Sequence, residues 1–479
     1  MQSHVERETK WDVEPDVPLT FDVKTGADQG VETVELTNTY YDTDDLDLLN
    51  HGVTLRYREG DESDHGWQVK VPTDDGRIES TFDGDSTTVP TEVADMLWGL
   101  RLGRDLGVAA IIHTRRTRHR HLDTKGRLRY EIADDTVSAT VPGPVATATT
   151  WREIEVELGP QSRDIPKSVR NRLLDVGARP SDASTKLARA VGYAPLDTPR
   201  RGSAASEAVA RYMRTQLAAI FAGDVALRLG EDPIHDTRVA IRRLRSTLRT
   251  SAKLFDAEVI AGADDELKWF AGLLGEVRDR QVQRARFVRA LDAIAAEMVL
   301  GPVEKKIDDE LADEQAEHRA KVAEAMVSDR YRDLLEMLVA WDRGLPFVDA
   351  RVRTKQLRKI VERADRKADK RLTEAVGTGV PEDLHRARKA AKRARYASEL
   401  GRPVLGKKQG KAQVKKYKKI QTILGEHQDA AVAAESLRRL GARAGVRRGE
   451  NGFTYGMLYQ RELAAAEAAR AKVIARGRH

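Results

Sequence analysis

The run Glu153-Ile-Glu155-Val-Glu157-Leu restricts the fold of this chain more than any other stretch. Successive side chains of a strand point to opposite faces, so this segment puts three carboxylates on one face and three aliphatics on the other. The same habit recurs at Glu6, Glu8 and Lys10, at Arg56 with Arg58, Gln68 with Lys70, Arg77 with Glu79, and Arg116 with Arg118. A sheet with one wet face explains any single strand of this kind. It does not explain six, because glutamates crowded on one face repel one another unless cations compensate them. A closed barrel with a polar interior accommodates the whole set. Carboxylates on two strands would hold a hard divalent cation through oxygen, and Lys and Arg on the others would grip an anion carrying several phosphates. Such a site needs no protein nucleophile, since a metal ion activates water and offsets charge on phosphoryl oxygens.

The alternating runs VTLRYRE, WQVKV, RLRYEI and WREIEVEL all fall within residues 1–195, with two helices expected at TEVADMLWGL and IPKSVRNRLLDVG. A Pro/Gly/Ser-rich linker is expected at 196–204, and long Ala/Leu/Arg-rich helices follow over 205–479. The helical half repeats itself. His235-Asp-Thr-Arg238-Val-Ala-Ile-Arg242-Arg243-Leu-Arg245 matches His385-Arg-Ala-Arg388-Lys-Ala-Ala-Lys392-Arg393-Ala-Arg395, and Leu274-Gly275-Glu276 with Asp279 matches Leu424-Gly425-Glu426 with Asp429. Two motifs sharing one offset indicate a duplicated helical bundle, spanning about 205–340 and 350–479. The expected fold is thus α+β and multidomain: an eight-stranded antiparallel β tunnel with helices, followed by an all-α duplicated bundle.

The halves also differ in charge. Residues 1–200 hold 25 Lys+Arg against 36 Asp+Glu, leaving 57 against 40 for the remainder. The basic half calls for a polyanion: nucleic acid, an acidic membrane surface or polyphosphate. Aromatics make up only 5% of the chain, too few for a stacking platform, which makes nucleic acid an unfavoured partner. No cysteine is present, which excludes disulfides, thiolate metal sites and cysteine nucleophiles. The charged N-terminus and the lack of any apolar run near ~20 residues point to a cytoplasmic protein without a membrane span.

Residues 1–195 resemble a CYTH domain, of the triphosphate tunnel metalloenzyme family. The resemblance rests on Glu6-x-Glu8-x-Lys10, Tyr40-Tyr41-Asp42-Thr43, Gly52-Val-Thr-Leu-Arg56-Tyr-Arg58, Trp67-Gln-Val-Lys70, Arg77-x-Glu79, Thr114-x-Arg116, Glu131-Ile-Ala-Asp-Asp135, Glu155-x-Glu157 and Lys186. It implies a tunnel that binds a triphosphate together with Mg²⁺ or Mn²⁺. Glu6, Glu8, Glu155 and Glu157 would be the catalytic metal ligands, with Glu79, Glu131 and Asp135 near the metal. Lys10, Arg56, Arg58, Lys70, Arg116 and Lys186 would hold the phosphates. Arg118 shares the face of Arg116 with a weaker family counterpart, and Glu153 has an equally uncertain place. The late Ser-Lys pair of the family reads Thr185-Lys186 here.

On the basic helices, His235, Arg238, Arg242, Arg245 and Arg249 are spaced 3, 4, 3 and 4 apart, which at ~100° per residue forms one narrow stripe. His385, Arg388, Lys392 and Arg395 repeat it. A solvated face explains one such helix less well when both histidines keep register. The histidines admit a structural reading too, following Pro233 and Pro381 near helix starts. This half resembles the CHAD domain, often fused to CYTH. The resemblance implies a pseudo-symmetric pair of bundles around a basic groove that binds long-chain polyphosphate through His235, Arg238, Arg242 and Arg245 and through His385, Arg388, Lys392 and Arg395. Lys392 stands where the first copy has Arg242, and Gln428 where it has Arg278, so the second copy lacks some of the forked arginine geometry. The segment Gly401-Arg-Pro-Val-Leu-Gly406-Lys407-Lys408 approaches a P-loop but lacks its Ser/Thr and follows a helix, so an interhelical loop is expected.

The functional expectation is metal-dependent hydrolysis of inorganic triphosphate or a related phosphoanhydride, with polyphosphate recruited by the helical half, in the cytoplasm and at polyphosphate granules. A polyphosphate-binding protein with a slow tunnel is the alternative. Nucleoside or thiamine triphosphates, including the substrate of an adenylate cyclase, present the same triphosphate and stay open at this point.

Overall fold

The first charged strand turns out to be two. In the computed structural model, β1 (Gln2–Glu6) and β2 (Glu8–Val13) are separated only by Arg7. The remaining strands are β3 (Asp28–Asp42), β4 (Thr54–Glu59), β5 (Gly66–Thr73), β6 (Gly76–Phe82), β7 (Gly107–Leu122), β8 (Leu128–Val141), β9 (Thr147–Leu158) and β10 (Arg179–Pro180). They form one sheet in the order β1-β6-β5-β4-β3-β7-β8-β9-β2-β10. β1 pairs antiparallel with β6, while β2 pairs antiparallel with β9. With one residue between them, β1 and β2 stitch the two ends of the sheet together. Counting β1 and β2 as one, and leaving aside the two-residue β10 that pairs with β2, the result is a tube of eight strands. The structure describes residues 2–19, 28–61, 64–73, 76–160, 162, 164–193, 203–349, 351–446 and 450–476. Two compact units result, Met1–Asp197 and Thr198–His479, and most of the linker expected at 196–204 lies outside the described residues.

The tube is turned inside out relative to an ordinary core, and its outer face holds the apolar side chains. Trp11, Ile132, Ile154 and Val156 pack with Ile165, Val169 and Leu173, where α4 (Lys167–Asp175) covers the sheet. Burying each such side chain contributes roughly 1.5–3 kcal/mol. The aliphatic face of β9 therefore pins its glutamates inward. Three short helices come earlier: α1 (Asp47–Asn50), α2 (Thr91–Met96) and α3 (Trp98–Arg101). The single helix expected over 91–100 is broken at Leu97, whose φ of −88° and ψ of 2° end one turn and begin the next. Asp42 of the Tyr-Tyr-Asp-Thr segment accepts hydrogen bonds from the backbone N–H groups of Thr43, Leu48 and Leu49 at 2.8–2.9 Å, so it builds the α1 entry. α5 (Lys186–Ala190) is capped by Thr185, whose Oγ1 accepts from the Ala188 N–H at 2.9 Å.

The second unit is helical: α6 (Ala204–Arg228), α7 (Ile234–Thr250), α8 (Ala257–Leu291), α9 (Val303–Met326), α10 (Asp329–Arg343), α11 (Thr354–Thr378), α12 (Pro381–Leu400), α13 (Arg402–Leu405), α14 (Lys407–Ala444) and α15 (Phe453–Arg476). α12 packs between α11 and α14 over Leu384, Ala387, Ala391, Tyr417 and Leu424, and it also meets α7. α6 and α7 approach closely at Gly223, where a Cβ would lie 2.0 Å from Thr237 Oγ1. The P-loop-like segment, expected as an interhelical loop, is mostly the short helix α13, with Gly406 at φ 80° opening α14. No helix among the described residues is long and apolar enough to cross a membrane.

Candidate functional site

The tube encloses a cavity of about 310 Å³, lined by charged side chains from β2, β4, β5, β6, β7, β8 and β9 and by polar residues of β3. Register explains how they converge. Glu8 lies opposite Glu157, which lies opposite Glu131, so three carboxylates form a row across adjacent strands. One step along, Lys10 faces Glu155; another step along, Glu153 faces Asp135, which faces Arg116.

The deepest part is a dense network of ion pairs. Lys186 Nζ sits 2.8 Å from Asp135, 2.7 Å from Glu153 and 2.8 Å from Glu155. Arg116 binds Asp135 with two parallel bonds of 2.8 and 2.7 Å and donates a third, of 2.6 Å, to Glu155. Lys10 donates to Glu155 and lies 3.2 Å from Glu8. Burial disfavours the Glu155 carboxylate, but Lys10, Lys186 and Arg116 overcome it and hold its pKa well below the ordinary value. Burial likewise opposes the Lys186 ammonium, and Asp135, Glu155 and Glu153 raise its pKa well above the ordinary value. α5 explains the placement: Thr185 caps it, and Lys186 takes its first position. A cation is disfavoured by the helix dipole at that end, so the three carboxylates supply the compensation.

On the opposite wall, Arg56 is buried, donating to Gln68 (2.7 Å) and Tyr40 (3.3 Å) and lying 3.5 Å from Glu79. Lys70 lies 2.8 Å from Glu79. Arg58 donates to Asn38 (2.9 Å) and to Asp64, while Arg118 meets Asp61 at 2.7 Å and Glu131 at 3.7 Å. Glu157 differs from all of these, because no hydrogen bond or ion pair reaches it among the described residues. Burial pushes its carboxyl up, against the pull of Lys70 and with help from Glu131, Glu8 and Glu155.

The sequence-derived set is thus brought together, apart from Glu6. That residue lies in β1 opposite Arg77, with its side chain outside the described residues. Asp135, Glu153 and Glu155 form a buried acidic triad whose ligand oxygens lie within 4.8 Å of one another. Its all-oxygen donors fit a hard divalent cation, and the Lys186 ammonium already stands where a cation belongs. The row Glu8, Glu157 and Glu131 offers the same donor type with less compensation. Glu153 had no firm role from the sequence, Gln68 was placed on the face of Lys70 without a role, and Asp61, Asp64 and Asn38 were not foreseen. Glu153 was legible in the i, i+2 spacing; the others sit on turns or partner strands that only pairing identifies.

In the helical unit, Arg238 pairs with Asp279 at 3.1 Å, and Arg388 with Asp429 at 3.4 Å, the same pair repeated at the sequence offset of the two motifs. The glycine of each Leu-Gly-Glu segment lies beneath the arginine. A Cβ on Gly275 would come 2.8 Å from Arg238 Nη2, and one on Gly425 would come 3.9 Å from Arg388 Nη2. His385 shares a hydrogen bond with Gln428 (3.1 Å), whereas Arg278, its counterpart in the first copy, depresses the pKa of His235 along with burial, the larger cause.

The stripe then divides in two. Arg245 and Arg249 close on Asp264, and Arg395 donates to Glu399 (3.0 Å) and Gln421 (3.3 Å). Arg242 and Lys392 have no carboxylate partner among the described residues; Arg242 leans on Tyr396. Arg242 Nε and Arg388 Nε are buried without a hydrogen-bond partner, an arrangement that leaves donors for an anion.

Comparison with known proteins finds a family match within each of the two units. Residues 5–190 match the CYTH domain and residues 211–438 the CHAD domain. An uncharacterised protein of Mycobacterium tuberculosis strain CDC 1551 is 32% identical over 501 aligned residues, covering 98% of this chain and 94% of the relative. Among solved structures, PptA from Streptomyces chartreusis gives a TM-score of 0.46 at 20% identity, covering 57% of this chain and 98% of that one. The CHAD domain from the plant Ricinus communis also gives 0.46, at 24% identity, covering 57% and 91%. CYTH domains belong to the triphosphate tunnel metalloenzyme superfamily, which includes enzymes acting on phosphoanhydrides. With a tunnel domain and a helical domain each matched in one chain, this protein belongs to the CYTH–CHAD two-domain family.

Proposed function

We propose that residues 1–195 hydrolyse inorganic triphosphate or a related phosphoanhydride with Mg²⁺ or Mn²⁺, and that residues 205–479 bind long-chain polyphosphate. The observation that carries the first part is the enclosed cavity, whose lining includes nine Lys or Arg and seven Asp or Glu side chains. A cavity so near neutrality takes an anion of several charges only together with a cation. Lys10, Arg56, Arg58, Lys70, Arg116, Arg118 and Lys186 would grip the phosphates. Glu8 and Glu157, with Glu6, would hold the cation, and Glu131 would flank it. Glu79, Asp135, Glu153 and Glu155 keep the gripping side chains charged and aimed. The cation supplies charge neutralisation and a more acidic water. Hydrolysis would add one water across a P–O–P bond of triphosphate and release orthophosphate and diphosphate. The chain's own cations stabilise charge on the phosphoryl oxygens without reorganising during the reaction.

The second part rests on the buried, unpartnered donors of Arg242 and Arg388 beside Lys392. The rival reading, a binding protein with a slow tunnel, draws on the pairing of Lys186 with three carboxylates, which an incoming ligand must disturb. Phosphate release from triphosphate, ATP, thiamine triphosphate and long polyphosphate, each with Mg²⁺ or Mn²⁺, separates the two. Turnover of triphosphate alone supports the proposal. Polyphosphate binding without hydrolysis of any substrate favours the rival.

A further inference from the structure

Over its first four positions the duplicated stripe differs at one point, where the first copy has Arg242 and the second has Lys392. A guanidinium holds its proton throughout the physiological range, whereas an ammonium gives one up when its surroundings oppose charge. The surroundings of Lys392 do oppose it. α7 packs on α12 and brings Arg238 and Arg242 toward it; from its own helix, Arg388 adds a third positive charge; from α14, Asp429, which Arg388 engages at 3.4 Å, opposes them. Among the other neighbours of α12, α6 meets it at Glu399 through Tyr212 (3.2 Å), α11 packs on its Leu384, Ala387 and Ala391 face and reaches Asp383 through Thr378 (2.7 Å), and α13 follows its C-terminal end. No hydrogen bond or ion pair reaches Lys392 among the described residues. Burial, then Arg388, Arg242 and Arg238, bring its pKa down to about 7.

We propose that anion binding at the crossing of α7 and α12 is coupled to uptake of a proton by Lys392, making the helical unit grip polyphosphate more tightly in mild acid than in mild alkali. This rests on the polyphosphate reading above. A bound phosphate chain supplies the negative charge the cluster lacks, which favours the ammonium and raises its pKa in the complex. The contribution of Lys392 is therefore complete below pH 7 and is lost as pH rises above it, until the pKa of the bound state is reached. Arg238, Arg242 and Arg388 stay charged throughout. His235 is held below the ordinary imidazole value, chiefly by burial and then by Arg278. The Arg-to-Lys difference at this position thus makes one half of the site a permanent grip and the other a titrating one.

The test is calorimetric titration of the full-length protein with long-chain polyphosphate, whose internal phosphates stay ionised across the range. Two buffers of different ionisation enthalpy report the protons taken up. Affinity is expected to fall about tenfold between pH 6.5 and 8.0, with proton uptake approaching one per site near pH 8. Lys392→Arg should abolish both effects while retaining binding. Arg242→Lys should steepen the pH dependence. Binding whose affinity and proton count ignore pH, or a Lys392→Arg protein with the wild-type profile, overturns the coupling and leaves the polyphosphate reading intact. Absence of binding at every pH overturns that reading itself.

Discussion

Lys186 and Lys392 are the same residue in opposite company. Lys186 sits on three carboxylates and is held protonated well beyond the ordinary range, whereas Lys392 sits among three guanidinium groups and is brought down to about 7. The contrast extends to their surroundings. In the tunnel almost every cation already has an anion, so a polyphosphorylated ligand must bring a metal ion or displace a carboxylate. At the crossing of α7 and α12, Arg242 and Lys392 lack carboxylate partners among the described residues, so a polyanion would enter by supplying what is missing. One half of the protein is built to exchange ion pairs and the other to complete them.

The largest effect should come from inverting the unpaired half. Arg242→Glu combined with Lys392→Glu should weaken polyphosphate binding about 1,000-fold, because two attractive contacts become repulsive. Triphosphate turnover in the same protein serves as the check on folding, and binding that survives the double change would break the comparison. In the paired half, Glu157→Gln should lower triphosphate turnover by about 100-fold or more, measured at millimolar Mg²⁺ with circular dichroism unchanged. It keeps the shape of the side chain and removes the carboxylate that has no compensating partner.

Lys186→Met should cost about 3 kcal/mol of stability in metal-free denaturant unfolding, since it leaves Asp135, Glu153 and Glu155 short of a buried cation. Added Mg²⁺ should recover part of the loss in this variant, whereas it should do little for the wild-type protein at the same position. A smaller signature is the response to acid. The pKa of Glu155 is held well below its ordinary 4.5, and those of Glu8 and Asp135 are lowered as well. Their contribution is present above about pH 4.5 and is lost as pH falls toward the folded-state values. Tryptophan fluorescence, with Trp11, Trp67 and Trp151 in the tunnel unit, should show that unit loosening below pH 4.5. The smallest effect should be that of Arg245→Ala, within about threefold in polyphosphate affinity, because Asp264 already occupies this arginine. A loss as large as that of the charge-reversed pair would mean that pairing does not decide which arginines bind.

The sequence by itself determined the division into a strand half and a helical half, the duplicated motif and the inward set of charges. Each follows from a local period: two residues for a strand face, 3.6 for a helix face, and one constant offset for the repeat. These periods tell which side chains share a face, and the Glu153-Ile-Glu155-Val-Glu157-Leu run needed nothing more. They are silent on which face meets which. Tertiary structure decided that Arg7 divides the first strand so that β1 and β2 close the tube, that Asp61 and Asp64 fold back onto Arg118 and Arg58, and that Arg245 and Arg395 are spent on carboxylates while Arg242 and Lys392 are not. It also decided the unequal state of the two lysines. The protonation of a side chain depends on burial and on charges within a few ångströms, and those neighbours come from strands and helices distant in the chain.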